Sequence, residues 1–366
     1  MSTPTGTTVL HVVASTDRRG AEVFASKLNE ALSAKGWPGQ VVALAPGVTQ
    51  ERLEVPTLGP GRRSPATFRG LRRIAARSGL VVAHGSTTLP LCAIGLAGSG
   101  RPFVYRNIGD PTHWGTSRLR RLRSKVFLRR AAAVVALTPA TARQLVDIYE
   151  VPQERVRAIP RGVPAEDFPL RTAQRRVAAR QRFGLPVDAP LVVYLGAMSP
   201  EKRPDVAVAA VCGMDGTHLA LFGDGSERGT VERLAAEAPG RIHMMGSTPE
   251  PAMALAAADV LVVPSQTEGL PGVLIEAGLT GIPVVASDVG YVREIVADGC
   301  TGRLVPPGDV EALRHALAAT LAEQDPGLPD RARARSLAEF SLEQVAEKWS
   351  ALLSDVLSEV SPSSSS

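Results

Sequence analysis

Long apolar runs and cysteines are scarce in this 366-residue chain, and each scarcity excludes a class of protein. No window approaches the roughly 18 consecutive apolar residues that a membrane-spanning helix needs. Cys92, Cys212 and Cys300 lie far apart without metal-ligand spacing, so we expect buried, reduced thiols rather than disulfides or a metal centre. The N-terminus lacks a basic lead and a long apolar stretch, which favours a cytoplasmic protein over a secreted one.

Lysine is the scarcest of the charged residues, although the net charge is +5. It occurs only at Lys27, Lys35, Lys125, Lys202 and Lys348, so the basic charge comes almost wholly from arginine. Because the arginines are spread through an alanine-, glycine- and proline-rich chain, we expect no nucleic-acid partner. Because lysine is so rare in this chain, a lysine inside a glycine-containing turn is a stronger candidate for a functional residue, and Lys202 lies in such a turn.

What is present indicates a globular protein of more than one domain. Hydrophobic residues make up 44% of the chain and charged residues 21%, as in ordinary globular proteins. A length of 366 residues suggests two or three domains at about 150 residues each. Short apolar runs alternate with helical patterns along most of the chain, which predicts α/β domains with parallel sheets.

The most informative stretch runs from residue 259 to residue 283. An apolar run at 259–263 predicts a buried strand, and a polar loop containing Glu268 and Gly269 follows it. Pro271 then marks the first turn of a helix that carries Glu276 and ends at Gly281. A strand, a glycine turn and a helix start together present free amides and a positive dipole end, which is the local physics of a phosphate site.

Glu268 and Glu276, separated by seven residues, resemble the E-x7-E signature of the retaining family 4 glycosyltransferases. That resemblance implies the GT-B fold, in which two doubly wound Rossmann-like domains face each other across a cleft. It implies that Glu268 touches hydroxyls of the transferred sugar and that Glu276 binds the ribose of the nucleotide. It also implies that the donor diphosphate is held by the backbone of Gly269, Leu270, Pro271, Gly272 and Val273.

The strand predicted at 191–196 leads into a segment that resembles the family pattern Gly-Arg-x-x-x-x-Lys-Gly. Lys202 matches the lysine that neutralises the departing diphosphate. The arginine position holds Ala197, and we expect Arg203 or Arg161 to compensate. Gly223, in a turn similar to the family's Gly-x-Gly-x-Glu, and Gly246, at the next strand end, are expected to line the nucleotide pocket.

In the first half, a strand at 9–14 leads through Gly20 into a helix, resembling the family's Gly-Gly-Ala-Glu turn with one glycine fewer. The resemblance places Gly20 close to a phosphate. The strand at 79–83 ends in His84, which resembles the strand-end histidine beside the sugar in the family's active cleft. We therefore place His84 with Lys202 and Glu268 in the catalytic set.

A polar loop after the strand at 103–105 is a candidate for acceptor contacts. Its candidate residues are Arg106, Asn107, Asp110 and Trp114. A basic amphipathic helix follows from Arg118 to Arg130, with Leu119, Leu122 and Val126 on one stripe. The stripe predicts either a helix docked on its own domain with a solvated basic face, which we favour, or peripheral contact with an anionic membrane.

The resemblance implies an acceptor-binding domain at 1–172 and a nucleotide-sugar-binding domain at 186–340, and a charged, proline-interrupted stretch between them is the predicted linker. A helix at 341–358 is expected to cross back to the first domain, and a disordered tail fills 359–366. The function implied by the resemblance is retaining transfer of a sugar from a UDP-, GDP- or other nucleoside-diphosphate sugar to a hydroxyl. No metal and no further cofactor are expected, because protein cations and dipoles hold the phosphates.

Two alternatives come from other classes of protein. The missing arginine and the basic helix allow a non-catalytic protein that binds nucleotide sugars or a membrane surface. A GT-B nucleotide-sugar epimerase is disfavoured by the spacing of the two glutamates. The base, the sugar, the acceptor and the oligomeric state are not predicted by the sequence.

Overall fold

The computed structural model of the chain describes residues 7–49, 51–109, 111–114, 117–323 and 325–360. Its strands in chain order are β1 (Val9–Val13), β2 (Gly39–Ala43), β3 (Leu80–His84), β4 (Phe103–Arg106), β5 (Ala133–Ala136), β6 (Val156–Ala158), β7 (Leu191–Leu195), β8 (His218–Phe222), β9 (Ile242–Gly246), β10 (Val260–Val263), β11 (Val284–Ser287) and β12 (Arg303–Val305). Its α-helices are α1 (Gly20–Ala34), α2 (Pro65–Ala75), α3 (Leu89–Gly95), α4 (Arg118–Arg129), α5 (Pro139–Tyr149), α6 (Ala173–Phe183), α7 (Pro204–Cys212), α8 (Arg228–Ala235), α9 (Pro251–Ala257), α10 (Gly272–Thr280), α11 (Val292–Ile295), α12 (Val310–Ala322), α13 (Leu328–Phe340) and α14 (Leu342–Val360).

The chain divides into two compact units, each with its own parallel sheet. The first unit comprises Met1–Gly162 and Leu342–Ser366, and the second comprises Val163–Ser341. Strands alternate with helices throughout, because apolar, β-branched runs such as the one at β10 alternate with capped amphipathic segments. The predicted α/β class with two doubly wound sheets is confirmed.

In the first unit the strand order is β2-β1-β3-β4-β5-β6. Successive residues of β1 belong to different core clusters, Leu10 and Val12 to one and Val9 to another, so helices cover both faces of the sheet. The order reverses between β1 and β3, because the chain builds outward from β1 to β2 and then adds β3 on the other side. The carboxyl ends of β1 and β3 therefore form the switch point at which ligands bind open α/β sheets.

The second unit repeats this arrangement with the order β12-β11-β10-β7-β8-β9. Its switch point lies between β7 and β10, whose residues pair in parallel from Val192 with Val260 onward. The loop after β7 carries Lys202, and the loop after β10 carries Glu268. The two charged residues chosen from sequence patterns thus follow the two strands that flank the switch point.

The predicted linker near residues 170–188 is wrong, because this stretch contains helix α6 and belongs to the second unit. Arg180 of α6 is fully buried and pairs with Asp259 at 2.7 Å, next to the start of β10. Its guanidinium also donates to the carbonyls of Ala257 and Ala189. Among the charged residues that suggested a linker, Arg180 is buried and Arg176 is half-buried, and both pair with Asp259. The units divide after Gly162 instead.

Helix α14 packs within the first unit. Its apolar stripe joins the cluster of α1 and the central strands through Val345, Trp349 and Leu353. Trp37 donates from Nε1 to Ser350 Oγ at 2.8 Å. Residues 359 and 360, assigned to the tail by sequence, continue this helix, and the rest of the predicted tail lies outside the described residues.

Helix α4 is docked on its own unit as favoured, but through Phe127 and Leu128 and not through the predicted apolar stripe. Leu119, Leu122 and Val126 are 76%, 57% and 53% exposed, and of the residues on this helix only Leu128 is buried. The helix is held instead at its C-terminal end, where Lys125 forms an ion pair with Glu150. The periodicity correctly predicted one apolar face, but it could not show whether the protein itself covers that face.

The cysteines match the sequence expectation only in part. All three are unpaired, and burial raises the pKa of Cys92 to about 12. Cys212 is half-buried and Cys300 is exposed. Cys300 lies in the turn before β12, which explains its exposure, since the chain crosses the surface there.

Candidate active site

A cavity of about 200 Å³ opens at the switch point of the second unit. It is lined by the ends of β7 and β10, by the loops that follow them and by the start of α10, including Tyr194, Gly196, Lys202, Ser265, Glu268 and Gly272. A larger cavity of about 730 Å³ lies at the opposite, amino edge of the same sheet. There Arg171 and Arg176 are already paired with Asp259, so we place the ligand site at the smaller cavity on the carboxyl edge.

Lys202 and Glu268 form the charged centre of this cavity. Nζ of Lys202 donates to both carboxylate oxygens of Glu268 at 2.7 Å, and Ser265 Oγ donates to Oε1 at 2.7 Å. The Glu268 side chain is 6% exposed, whereas that of Lys202 is 31% exposed. Because an ammonium group has three donors and two are used here, Lys202 keeps one N–H for a ligand.

The backbone around the pair holds the two loops together. The amide of Gln266 donates to the carbonyl of Glu201 at 2.8 Å, which joins the loop after β10 to the loop after β7. Gly290 has φ +53°, and a Cβ there would lie 1.9 Å from the carbonyl oxygen of Glu268. Glycine is therefore required at position 290 for the backbone that carries Glu268.

Helix α10 presents an uncapped N-terminus to the same cavity. It begins at Gly272 after Pro271, which supplies no side-chain cap, and Gly272 and Val273 both line the cavity. The first amides of a helix have no intrahelical acceptor and lie at the positive end of its dipole, so they can bind an anion. Glu276 lies one turn further along the helix and is half-buried.

Gly223 and Gly246 end neighbouring strands at this edge, and the amide of Gly223 donates to the carbonyl of Gly246 at 2.8 Å. Gly223 has φ +145°, and a Cβ there would lie 1.8 Å from the carbonyl oxygen of Gly196. The turn after β8 can pack against the turn after β7 only because position 223 has no side chain.

Arg203 follows Lys202 with a left-handed backbone, φ 49°. Its guanidinium contacts both carboxylate oxygens of Asp205 at 2.9 to 3.2 Å. The hydroxyl of Tyr194 donates to the carbonyl of Ala197 at 2.6 Å and shapes the loop at the position of the missing arginine. In this structure the charge of Arg203 is therefore already paired by its neighbour.

In the first unit, His84 lies at the carboxyl end of β3, as predicted, but it is only 2% exposed. Its Nε2 lies 3.0 Å from Nδ1 of His11, and the two rings stack with centroids 5.3 Å apart. Burial, and the repulsion that a protonated His11 and Arg106 would exert, hold the pKa of His84 well below its usual value. Burial alone lowers the pKa of His11 to about 3, so both rings are neutral near pH 7.

The remaining predicted residues of the first unit lie at the carboxyl ends of β1 and β4. Gly20 is the first residue of α1. Arg106 and Asn107 are buried, and the side-chain amide of Asn107 donates to the carbonyl of Gly109 at 2.8 Å. Asp110 lies outside the described residues. Trp114 ends a short 3₁₀ helix, Pro111–Trp114, and its side chain is likewise not described.

The structure adds three residues that the sequence patterns did not single out, namely Ser265, Gly290 and His11. No sequence pattern pointed to Ser265 or Gly290, because a serine after a strand and a glycine in a loop are common. His11 did leave a signal, because a histidine inside the apolar run of β1 is a buried polar outlier.

Each of the two units contains a parallel, doubly wound sheet whose ligand-binding edge lies at its switch point. This architecture defines a GT-B type of protein. The profile of Glycosyltransferase Family 4 matches residues 18–167, and that of Glycosyl transferases group 1 matches residues 189–323. Together these matches span most of the chain. The chain thus belongs to the glycosyltransferases of family 4 and group 1, as the glutamate spacing predicted.

Several curated relatives of the chain are D-inositol 3-phosphate glycosyltransferases. That of Xylanimonas cellulosilytica is 37% identical over 203 residues, which is 52% of this chain and 49% of the relative. That of Mycolicibacterium smegmatis is 32% identical over 232 residues, which is 61% of this chain and 52% of the relative. The chain spans about half the length of the relatives it matches.

Solved structures support the fold. HepE from Anabaena in complex with UDP superposes with a TM-score of 0.84 at 21% identity, covering 95% of this chain and all of that one. Sucrose-phosphate synthase from Thermosynechococcus elongatus superposes with a TM-score of 0.79 at 24% identity, covering 96% and 100%. At such identities the likeness concerns the fold alone.

Proposed function

We propose that the chain transfers a sugar from a nucleoside-diphosphate sugar to a hydroxyl group, with retention of anomeric configuration. The observation that carries this proposal is the Lys202–Glu268 pair at 2.7 Å beside the uncapped start of α10. A cation with a free donor and a positive helix end in one cavity suit a leaving diphosphate, whose charge they stabilise as it develops. Membership of the glycosyltransferases supplies the reaction class.

The roles follow from position in the second unit. Glu268 is proposed to accept hydroxyls of the donor sugar, and Glu276 to bind the ribose. Lys202 and the backbone from Gly269 to Val273 are proposed to hold the diphosphate, with Gly223 and Gly246 beside the nucleotide. Because these groups supply the positive potential themselves, we propose that no divalent metal takes part.

For the donor we propose a uridine diphosphate sugar. HepE, whose fold the chain shares, was crystallised with UDP and with UDP-glucose, which supports this choice over GDP-sugars. The relatives named for D-inositol 3-phosphate support a small hydroxyl-bearing acceptor. We propose that Asn107 and the loop after β4 contact this acceptor and that His84 takes part in catalysis as a hydrogen-bonding group.

A thermal-shift panel of nucleotides tests the donor, because a ligand that binds only the folded state raises the melting temperature. At a UDP concentration 100 times its Kd we expect about 2.7 kcal/mol of stabilisation and none from GDP. Release of UDP from UDP-sugars with EDTA present then distinguishes an enzyme from a binding protein. Absence of a shift with every nucleotide would refute the proposal.

Retention of configuration requires its own measurement. Proton NMR of the product, taken early in the reaction, gives the coupling constant of the new anomeric proton. We expect the same anomeric configuration as in the donor, and an inverted product would contradict the assignment of mechanism. An interconverted nucleotide sugar without transfer would favour the epimerase.

A second proposal concerns α4, which we propose rests on an anionic membrane surface. Its exposed stripe of Leu119, Leu122 and Val126 is accompanied by the exposed arginines Arg118 and Arg120 and by others on the same helix. An apolar face flanked by cationic side chains suits the interface of a bilayer that contains acidic lipids. No helix among the described residues has the length and apolar character needed to cross a bilayer.

Liposome sedimentation tests this surface. We expect binding to vesicles with acidic lipids, weak binding to neutral vesicles, and a loss of binding in a variant with Leu119→Ser and Leu122→Ser. A matched control is Arg143→Gln on the exposed side of α5, which should bind as the original protein does. If the double variant bound acidic vesicles as well as the original protein does, the proposed membrane contact of α4 would be refuted.

A further inference from the structure

Arg106 is a buried arginine that has no carboxylate partner among the described residues. It ends β4, is 2% exposed, and its Nε and Nη1 atoms have no hydrogen-bond partner. Its guanidinium lies over the ring of Phe24 on α1, with Cζ 3.9 Å from the ring centroid. No carboxylate of the described residues forms an ion pair with it. A buried, unpaired charge is costly, so retaining one suggests that a ligand completes the site.

Arg161 brings a second guanidinium to the same place. It follows β6 and is half-buried, and its Nε also has no hydrogen-bond partner. Its Nη1 lies 3.6 Å from where a Cβ on Gly20 would be, so it adjoins the first residue of α1. Burial lowers the pKa of Arg106 to about 9, and repulsion by Arg161 contributes to this shift. Two adjacent like charges that repel each other attract an anion between them.

The start of α1 adds donors to these two cations. This helix has 15 residues, and its N-cap residue, Arg19, makes no capping hydrogen bond through its side chain. Within the described part of the chain, the amides of Gly20 and Ala21 have no acceptor. Glu22 in the first turn is buried, which raises its pKa, and its carboxylate bonds to its own amide rather than to either arginine.

We infer that Arg106, Arg161 and the first turn of α1 form a binding site for a compact oxyanion carried by the acceptor. The inference rests on the proposed transferase function and specifies its acceptor as a phosphorylated or carboxylated hydroxyl compound. A planar guanidinium fork matches the geometry of both oxyanions.

Calorimetry with inorganic phosphate as the probe tests this site in the full chain. Phosphate is titrated into the protein in phosphate-free buffer, first alone and then with saturating UDP. We expect phosphate to bind equally in both conditions. Acetate in place of phosphate distinguishes a site for carboxylates from one for phosphates, and binding of either supports the inference.

Two variants and one control make the test specific. Arg161→Gln and Arg106→Met should each weaken phosphate binding at least tenfold and leave UDP affinity within twofold. Arg143→Gln removes one exposed charge from the same unit and should change neither affinity. Arg106→Met should also melt at the same temperature as the original protein or higher, because it removes an unpaired buried charge. A purely structural arginine would lower the melting temperature instead.

The outcomes separate the two proposals. If UDP displaces phosphate, the two arginines belong to the donor diphosphate and the acceptor assignment is overturned. If neither phosphate nor acetate binds, or if the variants bind as tightly as the original, the site does not exist. If UDP itself fails to bind, the transferase proposal fails, independently of what phosphate does.

Discussion

The coupling between Lys202 and Glu268 can be measured by a double-mutant cycle. Two unit charges about 3 Å apart attract by roughly 5 kcal/mol at an effective dielectric constant of about 20. Because the Lys202 side chain is 31% exposed, screening and desolvation reduce this to about 2 kcal/mol of net coupling. Lys202→Met should therefore destabilise the second unit by about 2 kcal/mol, since among the described residues it leaves a carboxylate with 6% exposure bonded to Ser265 alone.

Adding Glu268→Gln to Lys202→Met should recover most of this loss, because a neutral amide needs no counter-charge. A loss of about 2 kcal/mol lowers the melting temperature of a unit of this size by roughly 4 to 8 °C. Urea unfolding of the original protein, both single variants and the double variant gives the coupling energy. Additivity within about 0.5 kcal/mol would refute the reasoning, since it would mean that the two groups do not stabilise each other. Both single variants should lower UDP release at least about 100-fold.

Three further predictions follow from other parts of the structure. Glu276→Ala should weaken UDP binding by about 1.5 to 3 kcal/mol, the usual loss for a hydrogen bond to a charged group, and unchanged affinity by calorimetry would remove it from the ribose site. Gly223→Ala should lower the free energy of unfolding by at least about 3 kcal/mol, because the added Cβ would meet a carbonyl oxygen. Gly240→Ala is the matched control: its Cβ would meet no atom within 4 Å, so only its left-handed backbone should cost about 1 to 2 kcal/mol. Melting temperatures of the two variants measure this difference. The pKa values of His11 and His84 are lowered in the folded unit, so below pH 6.5 the unfolded chain binds protons that the folded unit does not. The free energy of unfolding should therefore be highest above pH 6.5 and fall as the pH drops towards 3. The expected loss is up to about 1.4 kcal/mol per pH unit for each histidine. His11→Phe should flatten this dependence in denaturant titrations at several pH values, and an unchanged slope would contradict it.

The sequence predicted the charged centre of the candidate site because that centre is local. Lys202 and Glu268 each lie in a short strand–loop–helix unit whose residues are contiguous, and strand ends in a parallel sheet share one edge. Both residues could therefore be placed at one edge of the sheet once both strands were recognised. The contact of Nζ with both carboxylate oxygens depended on the register of β7 with β10, which residue spacing does not give.

Burial was where sequence reasoning failed. Arginines near residue 180 suggested a solvated linker, and Leu119 and Leu122 suggested a docked face, yet Arg180 is buried and both leucines are exposed. Composition and periodicity report which faces of an element are polar. They do not report what the rest of the chain places against those faces, which is a property of packing between distant segments.

The sequence by itself determined the α/β class, the doubly wound order of its elements, the family and the two loops that carry Lys202 and Glu268. The α/β class and the two loops follow from apolar periodicity and turn residues, which act over fewer than about 20 residues. The family and its doubly wound order are what the resemblance of the Glu268–Glu276 segment implied. Only the tertiary structure decided that His11 meets His84, that Asp259 pairs with Arg180, and that Arg161 approaches the start of α1 near Arg106. Those contacts join segments far apart in the chain, and they are fixed by the parallel register and close packing of whole sheets and helices rather than by any local preference.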